Sequence, residues 1–315
     1  MVTLQDRSRA TATGHAKPRH RDGRRWTAGR VLGRATWFGG TGLFLIFFAL
    51  PVLWMILATG KTDGDIIRGH PFALGNWHDF TQTWNNLLAF QDGAILLWMK
   101  NSAVYAFGAL VITLVTAIPA GYGLALTKFI GRKTLLTITL IVMIMPAAAL
   151  VLPLYLEINA VNLTGTIWSV ILPLSFFPFG VYLTYIYYSS TIPEDLLAAA
   201  RLDGCTEWQV FAKIAIPLAK PIIALVSFFS FVGNWNNFFL PFVMLPDSQQ
   251  YPAQVGLNNL LTASAVFNTS AGTEAPILRP ELALAALLTI LPVLLVFLFS
   301  QRALVSGMLA GGTKE

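Results

Sequence analysis

IPEDLLAAARLDGCTEWQVFAKIAIPLAKP, residues 192 to 221, is a polar and small-residue interruption in an apolar second half; four long apolar runs precede it and two follow. Pro193 suits the first position of a helix, where its missing N–H costs nothing, and Glu194 and Asp195 suit the positive end of the helix dipole. Leu196, Leu197, Ala198, Ala199, Ala200 and Leu202 favour helix until Asp203 and Gly204 end it, Gly204 being able to take a left-handed conformation. A second helix is predicted over about 206–216. Its expected apolar face is Trp208, Phe211, Ala212 and Ala215, and Pro217 and Pro221 punctuate its end. The stretch therefore reads as helix, tight glycine turn, helix.

Whole-chain composition sets the class. The 315 residues are 55% hydrophobic and 11% charged, with a mean hydropathy of +0.64. A soluble surface normally needs about a quarter of its residues charged. The chain belongs in a bilayer as an all-α polytopic protein. Runs at about 37–58, 101–126, 135–156, 166–188, 221–245 and 281–300 are each long enough to cross it, giving six expected transmembrane helices within a domain spanning 35–302. The first run exceeds the short core of a signal peptide, so cleavage is not expected. The second run carries Gly108, Gly121 and Gly123 with Ala103, Ala106 and Ala109, small residues that let membrane helices approach closely, and Pro119, expected to kink it.

Lysine and arginine set the orientation. Residues 1–34 form a polar, basic tail with Arg7, Arg9, Lys17, Arg19, Arg21, Arg24, Arg25, Arg30 and Arg34, no periodic apolar face and an expectation of disorder. The tail, the turn with Lys128, Arg132 and Lys133, the 192–217 loop and the 303–315 tail share one side. The other side has only Lys61, Arg68, Lys100 and Arg279. Both termini and the loop are thus expected in the cytoplasm, with the chain in the cell membrane. Cys205, the one cysteine, allows no intrachain disulfide and reads as a small residue packed beside Gly204. Glu157, at the end of the third run, reads as interfacial.

Ala199, Ala200, Asp203, Gly204, Ile214 and Pro217 resemble the loop by which inner-membrane permease subunits of ABC importers pack into a groove on their ATPase. Ala198 stands where that family usually has Glu, Cys205 where it has Ala, and Ile216 where it has Leu; Glu207 and Arg201 are candidates to supply the polar contacts. PFALGNW (71–77), Asn101-Ser102, Ala120-Gly121-Tyr122 and YPAQVGL (251–257) also resemble family segments, the first and last of them extracytoplasmic. The ending QRALVSGMLAGGTKE is similar to that of the carbohydrate-uptake branch.

The resemblance implies the type I importer fold and a coupling loop over 192–217 that includes Glu194, Ala198, Ala199, Ala200, Arg201, Asp203, Gly204, Phe211, Ile214 and Pro217. It also implies a homologous second permease, a cytoplasmic ATPase dimer that uses ATP and Mg, an extracytoplasmic solute-binding protein and a sugar substrate. No cofactor is expected on this chain.

Within the fifth run, Asn234, Trp235, Asn236 and Asn237 are the least apolar patch of any span and the candidate substrate path, planar amides beside an aromatic face. The competing reading is polar glue between helices. Nothing suggests an enzyme: no GxxxxGK[ST] loop, no metal-ligand spacing among His15, His20, His70 and His78, no Ser/His/Asp set and no nucleic-acid-binding pattern. A secondary transporter or channel working alone, a permease for a non-sugar solute and a membrane scaffold remain alternatives, although the first would carry buried charges and an inverted repeat.

Overall fold

A computed structural model describes residues 28–268 and 277–312, without the side chains of 28–32, 194 and 303–312. Residues 1–27 of the expected 1–34 tail, residues 269–276 and residues 313–315 lie outside the described residues, whereas 28–34 of that tail are helical, as the start of α1. The described residues are helical throughout, with no strand among them: α1 (Ala28–Ala58), α2 (Asp63–Arg68), α3 (Trp77–Ala89), α4 (Ala94–Leu126), α5 (Arg132–Ile144), α6 (Ala147–Ala160), α7 (Trp168–Ser175), α8 (Pro178–Thr191), α9 (Glu194–Leu202), α10 (Glu207–Val210), α11 (Ile216–Leu218), α12 (Lys220–Trp235), α13 (Phe239–Met244), α14 (Ala253–Ala263) and α15 (Arg279–Gly312). Two units divide at Pro51. In the first, the helical side chains from Gly33 onward are almost all exposed.

In the second unit α4 is central, packing against α7, α8, α12 and α14. It starts at Ala94, earlier than the expected residue 101, because Gly93 in a left-handed conformation opens the helix there, and it takes in Lys100, expected in the preceding polar segment. Pro119 sits inside it without ending it. Gly121 lets α8 come close: a side chain there would collide with Thr184.

Among the described residues four helical segments are long and apolar enough to span a membrane, six if two bent pairs, α5 with α6 and the 207–218 segment with α12, are each one span. The predicted continuous helices at 135–156, 166–188 and 221–245 are all broken. Pro146 presses Met145 into an extended conformation, and α5 and α6 meet at 108°. Phe176 and Phe177 leave the helix ahead of Pro178, and Thr113 of α4 donates its hydroxyl to the Ser175 carbonyl at that break, 3.0 Å. The third break falls at the amide cluster itself, between α12 and α13.

A long-range clamp joins α4 to the segment before α14. Trp98 Nε1 donates to the Ser248 carbonyl (2.9 Å), Asn101 Nδ2 to those of Gln249 (2.8 Å) and Tyr251 (3.1 Å), and Tyr105 Oη to that of Gln250 (2.8 Å). The Ser102 hydroxyl accepts from the Ala253 N–H at 2.8 Å. These four side chains share one face of α4 at helical spacing. Gly256 lies against the Trp98 ring, where a Cβ would collide.

Candidate functional site

α9 starts one residue later than expected, with Pro193 as its extended N-cap. It ends in a paired turn. The Cys205 N–H donates to the Ala200 carbonyl (3.0 Å) and the Gly204 N–H to that of Arg201 (3.1 Å), the bonding pattern that closes helices with a left-handed residue, here Gly204 at φ +84°. Thr206 then caps α10 and Gln209 returns the bond to the Thr206 N–H. Across the turn Arg201 meets Glu207 in a two-pronged ion pair, Nε–Oε1 2.6 Å and Nη2–Oε2 3.2 Å. That bond holds the Glu207 carboxyl below the usual glutamate range and raises the Arg201 guanidinium.

The second helix of the unit departs from the reading. It is α-helical only over α10. A π-helical turn, Phe211–Ala215, follows, its Ile216 N–H reaching the Phe211 carbonyl, and α11 comes next. The apolar face is also set differently. Val210, Phe211 and Ala215 are buried and Ile214 packs beside them, whereas Trp208, predicted on that face, is 71% exposed.

The unit therefore has two sides. Leu197, Ala200, Val210, Phe211 and Ala215, with Cys205 at the edge, join one core with Ile118, Tyr122 and Ala125 of α4, Tyr187 and Tyr188 of α8, and Ile222, Leu225 and Val226 of α12. Leu196, Ala198, Ala199, Leu202 and Trp208 face outward, Leu202 at 88% exposure. Of the expected docking residues, Ala200 and Phe211 thus belong to the inner side, and the small outward surface is Ala198 and Ala199. Asp203 and Pro217 are exposed; Asp203 is the C-cap of α9 and Pro217 lies in α11. Beside the outward face opens a cleft of about 610 Å³ lined by Tyr122, Lys128, Arg132, Asp195, Arg201 and Glu207 over an apolar floor.

The amide cluster is divided. Trp235, 3% exposed, stacks on Phe231 and donates Nε1 to the Thr289 carbonyl of α15 (2.9 Å), so its ring offers no face to a ligand. Asn234 Nδ2 donates to Ser230, whose hydroxyl donates to that of Thr113 (3.5 Å), a polar chain from α12 to α4. Asn237 Oδ1 accepts from the Leu240 N–H and caps α13. Asn236 is exposed at the break, 3.4 Å from Gln254 of α14. An aromatic beside three amides was expected to line one surface. A buried ring, two structural amides and one accessible amide replace it, because the helix ends at Trp235 and turns successive side chains to different neighbours.

The model of the binding-protein-dependent transport system inner membrane component family matches residues 114–309, which take in the two-helix unit, the amide break and most of α15. The chain belongs to that family. Among curated relatives of this permease are the arabinooligosaccharides transport system permease protein of Halalkalibacterium halodurans, 31% identical over 86% of this chain and 93% of the relative, and the lactose transport system permease protein of Rhizobium radiobacter, 30% identical over 84% and 90%. In fold the permease is similar to a chain of a bacterial ABC transporter involved in the import of the acidic polysaccharide alginate, with a TM-score of 0.77 at 21% identity, covering 88% of this chain and 98% of that one. It is a multi-pass membrane component of an ABC transporter rather than an enzyme.

Proposed function

We propose that this permease is half of a heterodimeric pore in an ATP-driven importer of a sugar or oligosaccharide, and that its 192–217 loop docks on a cytoplasmic ATPase. The observation that carries the reading is the two-sided unit: a rigid turn presents Leu196, Ala199, Leu202 and Trp208 outward while its inner side is fused to three membrane helices. An exposed cluster of this kind marks a contact surface. The small side chains of Ala198 and Ala199 suit a groove, and Trp208 suits an anchor, being large and, against Phe211 at 5.6 Å between rings, already ordered.

In this reading α5 with α6, α7 with α8, and α12 with α13 are each one broken crossing, so that with α1, α4 and α15 the chain crosses six times and both termini are cytoplasmic. ATP and Mg are used by the partner ATPase, and a solute-binding protein delivers substrate from outside. The sugar class follows from the arabinooligosaccharides and lactose of the relatives' names and from the carbohydrate-type ending. Asn236 is the residue retained for the substrate path, being the accessible amide at a helix break.

The test is purification of the intact complex followed by reconstitution. Co-purifying ATPase subunits and a second, homologous membrane protein, with uptake of a labelled oligosaccharide that requires ATP and binding protein, is the expected outcome. Flux by this chain alone would favour a secondary transporter and reject the proposal.

A further inference from the structure

The segment between α1 and α3 is exposed, apolar and held rigid. Leu74 is 86% and Trp77 76% exposed, and Ile67 and Phe72 also face outward. Residues this open in a connecting segment normally move. Here the backbone is tied down at both ends. The Asn76 N–H donates to the Gly60 carbonyl at 2.7 Å, and Gly75 lies so close to Gly60 that a side chain on it would collide with that carbonyl. Lys61, only 6% exposed, extends its ammonium to the carbonyls of His70 (3.2 Å) and Pro71 (2.8 Å). Burying an ammonium is costly unless it is well hydrogen-bonded. Placing one beneath this strap ties the 70–76 backbone to the end of α1. A second tie fixes the depth: Asp63, opening α2, takes a two-pronged bond from Arg279 Nη1 at 2.9 Å, and Arg279 opens α15.

We propose that Leu74 and Trp77 form an interfacial anchor, inserted at the headgroup–acyl boundary of the bilayer. The occupant is argued from position. Gly60 is two residues past the last residue of α1, whose Leu53 and Ile56 are exposed aliphatics, and Arg279 is the first residue of α15, so the strap hangs at the level where two apolar helices leave the hydrocarbon. Amphipathic rings settle at that level, and a surface continuous with lipid-facing helix needs no protein to cover it. A loop reaching for a protein further out would gain nothing from being strapped down to the helix end. The inference rests on reading α1 and α15 as membrane crossings, and is independent of orientation and of the sugar.

The experiment uses the full chain in its purified complex, in phosphatidylcholine–phosphatidylglycerol vesicles, with Cys205→Ser and a single reporter cysteine carrying an environment-sensitive fluorophore. Leu74→Cys and Trp77→Cys are the test positions. Leu53→Cys reports depth within α1, and Gly64→Cys, on the exposed surface of α2, reports water. Quenching by lipid spin-labelled near the headgroup should be severalfold stronger at 74 and 77 than at 64, with iodide in the water showing the reverse order. Lys61→Met should reduce lipid quenching at 74 and leave that at 53 unchanged.

Labels at 74 and 77 that iodide quenches and lipid does not would overturn the anchor. So would labels that neither quenches, or that become protected only when a solute-binding protein is added, since protein then covers the strap. A Leu53 label untouched by lipid would mean instead that α1 is no span, a failure of the underlying reading.

Discussion

Gly204 carries the turn between α9 and α10 by backbone geometry alone. At φ +84° an L side chain is strained, yet nothing lies within 4 Å of where a Cβ would stand, so substitution tests conformation without a packing clash. Alanine in the left-handed region costs about 1–2 kcal/mol. A β-branched residue reaches the upper part of the roughly 1–3 kcal/mol range for strained backbone. Asparagine tolerates the region and should cost least. Every 1.4 kcal/mol is about tenfold in population. The docked geometry should therefore fall by about 5- to 30-fold in Gly204→Ala, by up to about 150-fold in Gly204→Val and little in Gly204→Asn.

The strain would be relieved by opening the turn, which gives up the Cys205–Ala200 and Gly204–Arg201 bonds and moves Arg201 away from Glu207. Wild type and the three variants, reconstituted into liposomes, would be compared for ATPase retention on an affinity column and for hydrolysis stimulated by loaded binding protein. The expected order is wild type, Asn, Ala, Val, with membrane insertion equal in all. Equal activity of the Val and Asn variants would refute the claim that left-handed geometry at this residue sets the docking surface.

Ala199→Asp should abolish ATPase retention with the complex otherwise intact, whereas Ala200→Asp puts a charge into the shared core and should reduce yield and thermal stability; identical behaviour of the two would contradict the two-sided unit. Trp208→Ala should weaken docking and leave melting of the membrane complex unchanged. Trp235→Phe loses the bond to Thr289 and should lower stability more than flux, while Asn236→Ala should lower flux more than stability, as read by thermal melting beside uptake. Because the Glu207 carboxyl is held below its ordinary value, the Arg201–Glu207 contribution is complete above that ordinary value and lost as pH falls through the depressed one. Docking strength should thus be flat from neutral pH down to the ordinary glutamate range and fall below it. Glu207→Gln should remove the fall and, the pair being exposed, cost only about 0.2–1 kcal/mol at neutral pH.

What the sequence made legible follows from range. The helix, glycine turn and helix of 192–217 are written in local chemistry: a proline and acids at one end and Asp203-Gly204 at the turn. The two sides of that unit were less legible, because Val210, opposite Trp208 on α10, is the residue that faces the core, and only the packing partners on α4, α8 and α12 decide that. Prolines 146 and 178 marked breaks that run length alone concealed. The clamp on residues 248–253 joins positions about 150 apart, and no local pattern announces it, although Asn101-Ser102 had been singled out for resemblance; the bonds to Gln249, Tyr251 and Ala253 give those residues a physical task.

The shared core beneath the loop bears on how the proposed docking at one end of this permease would reach the other. The core contains residues of α4, α8 and α12 as well as of α9 and the π turn, so the loop cannot tilt as a separate hinge without opening that core. Interiors packed at crystal-like density resist such opening and move as bodies. A displacement imposed on Leu202 or Trp208 by a closing ATPase would therefore be delivered to α12, which Phe231 and Trp235 join to α4 and α15 and which ends at the Asn236 break. The break is the compliant point of that lever: beyond it α13 is held by packing against α6 and α7. Rotation of α12 is then absorbed at residues 236–238. Gly in place of Asn236 keeps the backbone bond to Val232 while softening that point further, and should uncouple stimulated ATP hydrolysis from uptake while leaving ATPase retention intact. Loss of retention instead would place the compliance in the loop and not at the break.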